Sequence, residues 1–442
     1  MRLVRLMLGA LALSPFVIVA CGGDDAKTVK HPTNESDGGG SASASETSTA
    51  SEPVDAAVVG VTDTSQQGIE NSSGKGAYDD GFKAWTSGDL QTAKTKFREA
   101  TTTDPKASAA FYGLGCVLER LGDNAGAQMA YRQAFNVKGD NEIAMGAYAL
   151  NLAHTGHQGE ADTFLTDKHQ RNPKSARLEA YLAEVKSLEK DSGSAQQLAQ
   201  DALRLDPNFK DAMIVIARDH YRSGRTDLAK YAITAVLDGF GQASPARDPG
   251  NAEALLLRAL IEREAGQRIA AMKDFDAARL KRPDLIEATV QVAAMKLEAG
   301  NAAEAQPLLE SAVKYAPQNA IAHMNLGDCY RLQQRYADAK RELDQSLALD
   351  STLLGAHYAM GLMYLNAPSF PGMDAKSQVQ GALRELNQYL TMRGPKAPAG
   401  TSDDIDDLIA RGKDKLNELN LATQATATAT AATPTGDGGK KP

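Results

Sequence analysis

The chain reads as an all-α solenoid, and three observations carry that expectation. A small residue recurs at fixed spacing, at Gly81, Gly115, Ala149, Ala183, Ala217, Ala259, Ala293, Gly327 and Gly361; seven of the eight intervals are 34 residues and the other is 42. A period of this length marks an array of helical pairs, each able to bury its apolar face only against its neighbours. Between residues 76 and 395 alanine is abundant and β-branched runs are scarce, which favours helix. Finally, 442 residues exceed one compact core, a limit that arrays escape because each repeat contacts only the next.

The first element, residues 1–20, has Arg2 and Arg5 followed by an apolar stretch from Leu6 to Ala20, the build of an export signal absent from the mature protein. The stretch ends Ile18-Val19-Ala20-Cys21-Gly22-Gly23, which resembles the bacterial lipobox. That resemblance implies cleavage before Cys21 and lipid attachment to it. Each buried methylene contributes about 0.8 kcal/mol and two acyl chains hold stably, so the protein would sit on a membrane without spanning it. In such signals an aspartate after the cysteine implies retention at the inner membrane. Here Gly22 follows, which favours the outer membrane with the array in the periplasm. Residues 21–73 are Gly, Ser, Thr and Asp-rich, with few apolar residues outside Val54–Val61. They form an expected disordered tether of roughly 40 Å root-mean-square reach.

The array follows, over residues 74–394. With the small residue as slot eight, the first copy reads Gly81, Gly88, Ala93, Phe97, Ala100 and Pro105, and the sixth reads Ala259, Gly266, Ala271, Phe275, Ala278 and Pro283. The small residue and the alanine twelve later let two antiparallel helices approach, the glycine seven later supplies the turn, and the proline ends the second helix. This pattern is similar to the tetratricopeptide repeat (TPR). The resemblance implies a right-handed superhelical solenoid of about nine helix pairs. Some copies depart from it. The third has Leu165 and Lys168 for the aromatic and alanine, the second closes with Gly139, and the fourth carries Lys190 for the turn glycine. Extra residues lie at Leu237–Gly250 and at Asn366–Ser377. Extra loops of this kind fall on the surface.

Within residues 395–421, Thr401 or Ser402 can cap a helix running from Asp403 to about Leu421, and Ile405, Leu408, Ile409, Leu416 and Leu419 form one stripe that would cover the last repeat. Residues 422–442 read as a disordered tail. Cys116 and Cys329 are six repeats apart, too far for a disulfide, and are expected to be packed thiols.

Formal net charge is −8, an acidic balance that disfavours nucleic acid and anionic headgroups as direct partners. No phosphate-binding glycine loop, zinc-protease helix or nucleophile elbow occurs. His154, His157 and His169, with Glu160 and Asp162, could supply metal ligands, but solvated turn histidines are the simpler reading, and neither metal nor cofactor is expected. His323 and His357 share one slot of adjacent copies and read as packing residues. Glu119, Glu184 and Glu264 would line the groove of an exported enzyme acting on peptidoglycan. Such catalysis needs two carboxylates about 5–10 Å apart, one with a raised pKa.

In the TPR family the concave groove is lined from the first helix of each pair. That resemblance points to Tyr78, Phe82 and Trp85 in copy one, Tyr112, Glu119 and Arg120 in copy two, and Arg218, Tyr221 and Arg222 in copy five. It adds Asp328 and Arg331 in copy eight and Tyr358 in copy nine. Trp85 is the chain's single tryptophan, and aromatic and arginine residues dominate protein interfaces. The Tyr78, Phe82, Trp85 stripe reads equally as a hot spot or as capped core. The function expected is a non-enzymatic, lipid-anchored scaffold that holds envelope proteins or peptides, with no small-molecule substrate. The tether and nine-repeat array most resemble gliding-machinery lipoproteins of myxobacteria, with lipoproteins of type IV pilus or tight-adherence assembly as the alternative.

Overall fold

A computed structural model describes residues 73–394 and 404–431. These lie within one compact unit, Ser43–Pro442; the other, Met1–Ala42, is outside the described residues. The export signal, Cys21 and the tether before Ser73 are therefore outside them too, as are Thr401, Ser402, Asp403 and residues 432–442.

Nine helical hairpins follow one another. The first four are α1 (Lys75–Thr86) with α2 (Leu90–Thr103), α3 (Ser108–Arg120) with α4 (Asn124–Val137), α5 (Glu142–His154) with α6 (Gln158–Arg171), and α7 (Ala176–Leu188) with α8 (Ser192–Leu205). The middle three are α9 (Lys210–Arg222) with α10 (Thr226–Leu237), α11 (Ala252–Glu264) with α12 (Arg268–Lys281), and α13 (Ile286–Glu298) with α14 (Ala302–Tyr315). The last two are α15 (Ala320–Leu332) with α16 (Tyr336–Leu349) and α17 (Leu354–Asn366) with α18 (Ala375–Arg393); α19 (Ile405–Ala431) closes the chain. No strand occurs among the described residues, and no described helix is long and apolar enough to cross a membrane.

The slots behave as their chemistry requires. A Cβ on Gly81 would lie 2.9 Å from the Phe97 ring, and one on Gly115 would lie 2.4 Å from Tyr131, so the small residue is where helix A receives the bulky residue of helix B. At the turn slot Gly88, Gly122, Gly156, Gly224, Gly266 and Gly300 all have positive φ. Lys190 and Gln334 hold the same left-handed conformation at φ 64° and 60°, so the hairpin geometry overrides the residue's own preference in copies four and eight. The prolines end the second helices because the residue before each leaves the helical region; Asp104 before Pro105 and Asp206 before Pro207 are fully extended.

Copy three is held differently from its neighbours. Leu165 is fully buried in the aromatic slot, and the Lys168 ammonium lies 5.2 Å from the centre of the Phe164 ring and 5.7 Å from that of Phe135. The extra loop of copy nine folds onto its own repeat, with Phe370 buried against Tyr364 at 5.3 Å between ring centres.

At the C-terminus Ile405, Leu408 and Ile409 are buried against the last pair, while Leu416 and Leu419 are half-buried. The helix continues past Leu421 to Ala431, although residues 422–442 read from sequence as a disordered tail. Alternating alanine and threonine with no glycine or proline before Pro434 leaves nothing to stop it.

Candidate partner-binding surface

Most residues expected to line the groove are already committed to the fold. Tyr78 and Trp85 are 0% and 3% exposed and Phe82 packs against the same core, with the Tyr78 and Phe97 ring centres 5.4 Å apart. The aromatic stripe is therefore core rather than a free hot spot, covered by its own second helix and by the first helix of copy two. Tyr112 is buried with its ring centre 5.9 Å from that of Tyr131, whose hydroxyl donates to Glu119 at 2.6 Å. Burial drives the Cys116 thiol beside these tyrosines up to about 12, which makes it a packed thiol and not a nucleophile.

The arginines form ion pairs between copies. Glu184 is 2% exposed and lies 2.6 Å from Arg222 and 3.6 Å from Arg218, which in turn reaches Glu253 at 3.3 Å. Burial pushes the Glu184 carboxyl up, but the two guanidinium groups outweigh it and hold the group below its ordinary value. Beside it the buried Asp219 accepts from Ser187 at 3.0 Å, Ser192 at 2.6 Å, Gln196 at 2.7 Å and Arg225 at 2.9 Å. The remaining groove candidates are also engaged. Tyr221 donates to Glu264, Arg331 bonds Asp328 at 2.6 Å, and Tyr358 donates to Asp404, just ahead of α19, at 2.7 Å. Glu119, Glu184 and Glu264 thus sit in copies two, four and six, each bonded to a different side chain.

One signal for these pairs was present in the sequence. Glu184 and Arg218 occupy the same slot one period apart, so opposite charges in register mark a bond between adjacent copies. No such signal exists for Arg120. Its guanidinium donates to the Asp284 carbonyl at 2.8 Å across 164 residues, beside an Arg282–Asp284 pair with two 2.8 Å bonds. Burial works against the Asp284 carboxylate, but Arg282 and then Arg120 hold it below its ordinary value.

Across the middle of the array Leu150, Ile214, Leu260 and Ala294, on the first helices of copies three, five, six and seven, are buried as well. The most exposed aromatic pair lies elsewhere. Tyr231 on α10 and Phe240 in the inserted loop are 66% and 46% exposed and stack at 4.8 Å, next to Leu228 at 50%. Loop insertion, flagged in the sequence by the single 42-residue interval, therefore presents an apolar patch on a second helix and not on the first-helix face.

Two histidines expected only to pack are polar bridges. His357 Nδ1 lies 2.8 Å from Glu385 and Nε2 3.2 Å from the Ser351 carbonyl, and His323 repeats the arrangement with Glu342 at 2.8 Å and the Pro317 carbonyl at 3.1 Å. The Glu385 bond raises the His357 pKa above its ordinary value of 6.5, with burial opposing and the Ser351 carbonyl assisting. Arg384 also pairs with Glu385. A raised folded pKa gives stability that is fully present below the unfolded value and is lost as pH rises through the folded one. The melting temperature of the last repeats should therefore fall between pH 6 and pH 8. His357→Gln should flatten that slope in thermal melts; an unaltered slope would assign it to other groups.

Comparison with known proteins agrees with this architecture. Tetratricopeptide repeat family models match residues 83–141 and 296–355. No curated protein matches the chain. Among solved structures, the APC/C hetero-tetramer Cut9–Hcn1 aligns with a TM-score of 0.52 at 15% identity, over 77% of this chain and 64% of that one. Yeast Tom70 aligns at 0.46 and 17% identity, over 66% and 64%. Pseudomonas aeruginosa pilF aligns at 0.32 and 22% identity, over 49% and 94%. The chain spans less than two thirds of the length of the first two, and identities this low speak to fold alone. TPR folds generally mediate protein–protein interactions, through the concave groove, and are typically scaffolds rather than enzymes. Tetratricopeptide repeats are thus matched in two stretches of the array, and the chain folds as a TPR-type superhelical solenoid.

Proposed function

We propose that this protein is a lipid-anchored TPR scaffold of the bacterial envelope, tethered through Cys21 and holding protein partners in the assembly of an envelope machine, with a gliding-motility complex favoured. The observation that carries the reading is the order of parts: an export-type segment ending in Ile18–Gly23, a polar tether, then nine repeats without a catalytic arrangement among the described residues. Lipid on Cys21 fixes one end to a membrane, the outer membrane by the absence of an aspartate at Gly22. The tether then lets the array reach partners in the periplasm.

Because the groove candidates are bonded internally, first contact falls on surface that is exposed in the closed array. The Leu228, Tyr231, Phe240 patch suits an envelope protein that offers an apolar side chain. Cys21→Ser should move the protein from the membrane to the soluble fraction, and a photo-cross-linker placed at Phe240 should capture an envelope protein in cells. Continued membrane association would remove the anchor. A Phe240 probe that captures nothing, beside a probe at the exposed Leu332 of α15 that does, would move the contact to a first helix.

A further inference from the structure

The second helix of copy seven ends against copy one. Tyr315 donates its hydroxyl to the Thr86 carbonyl at 2.5 Å, and the Lys314 ammonium donates to the Ser87 carbonyl at 2.7 Å. These carbonyls terminate α1, where a helix leaves acceptors unpaired and its dipole favours a cation. The Tyr315 ring lies over the Gly88 turn, 3.2 Å from where a Cβ would stand, and Gln318 lies over the Gly122 turn at 3.1 Å. One copy further on, Arg120 reaches the Asp284 carbonyl. Copies one and two thus meet the end of copy six and copy seven and close a turn of the solenoid.

This contact differs in kind from those between successive repeats. It consists of donors on backbone carbonyls and side chains laid over glycine turns, and none of the hydrophobic clusters joins the two sides. Without apolar burial the contact has little to hold it beyond a few hydrogen bonds, each of modest net value.

A second discontinuity lies where copies four and five meet. The core of the early copies runs from Tyr78 to Val185 and the next large cluster begins at Met213. Between them are two small groups, Ala180, Ala202 and Ala212, and Ala183, Ala199 and Val215, with the Glu184 and Asp219 polar networks beside them. Alanine offers little area to bury, so this junction is held largely by its ion pairs and hydrogen bonds.

We propose that the contact of copies one and two with the end of copy six and with copy seven is an openable clasp, and that its release uncovers the interior around Arg120, Arg282 and Asp284 to a protein partner. The proposal rests on reading the concave face as a partner surface and supplies its regulation. The partner replaces internal bonds rather than filling an empty groove, so its affinity carries the cost of opening.

Opening is measurable without a partner, which separates this proposal from the scaffold reading. Spin labels on the full chain at Lys83→Cys and Ala303→Cys, both exposed and outside the contact, report the distance across the clasp. The expected distribution has one short distance. Lys314→Met with Tyr315→Phe removes two hydrogen bonds and should raise the longer-distance fraction about tenfold, and 1 M salt should act in the same direction through Lys314. Tyr358→Phe, which removes a hydroxyl bond in copy nine, should change nothing. An unchanged distribution in the double variant, or equal broadening by Tyr358→Phe, would overturn the clasp.

Discussion

Glu184→Ala should destabilise the array by about 3–5 kcal/mol, the usual loss when one member of a buried ion pair is removed. The carboxylate is 2% exposed and faces Arg222 and Arg218, so truncation leaves two guanidinium groups in a low-dielectric position with one compensating charge, Glu253. Because Glu184 lies in copy four and both arginines in copy five, the loss falls on the junction of these two copies. Urea unfolding followed by circular dichroism should then separate into two transitions, one for each side of that junction. Replacing the whole cluster, with Glu184→Leu, Arg218→Met and Arg222→Met together, should recover most of the stability, since apolar residues of similar volume often match a buried pair. A loss below about 1 kcal/mol for Glu184→Ala is the value expected of a solvent-exposed pair, and would mean that the cluster is hydrated in solution.

That cluster also marks the boundary of what could be read in advance. Slots fixed by short-range geometry were legible: the turn slot, the helix-ending prolines and the small residue facing Phe97 or Tyr131 are each set by backbone conformation or close packing within about 16 residues. The turn geometry even persists at Lys190, where the residue type had signalled a departure. The direction in which a slot faces was less legible. For Tyr78 and Trp85 the sequence left hot spot and capped core equally open, and for Arg218 and Arg222 it pointed to the groove, whereas the packing of copy on copy buries Tyr78, Trp85 and Arg218 and pairs Arg222 with Glu184. Least legible was the contact of Arg120 with Asp284. It depends on small rotations summed over several repeats and on the 42-residue interval, and no local pattern encodes such a sum.

Trp85→Ala should cost about 3–5 kcal/mol, as for large aromatic truncations in a core, and Tyr78→Ala should act alike. Both side chains belong to the cluster that seals copy one, and an end repeat has a neighbour on one side only. The effect should therefore appear as local unfolding of α1 and α2, with later repeats retaining their protection. Hydrogen exchange is the decisive measurement, since loss of a partner alone cannot distinguish a missing contact residue from a missing repeat. Amides of residues 75–103 should exchange fast in Trp85→Ala, and those beyond copy two should be unaffected. Because Thr86 and Ser87 supply the carbonyls that Tyr315 and Lys314 hold, the same variant should also release the clasp. Lys314→Met with Tyr315→Phe should release the clasp while copy one stays protected. Slow exchange across α1 and α2 in Trp85→Ala would instead place this tryptophan on a surface, where its value lies in what it binds.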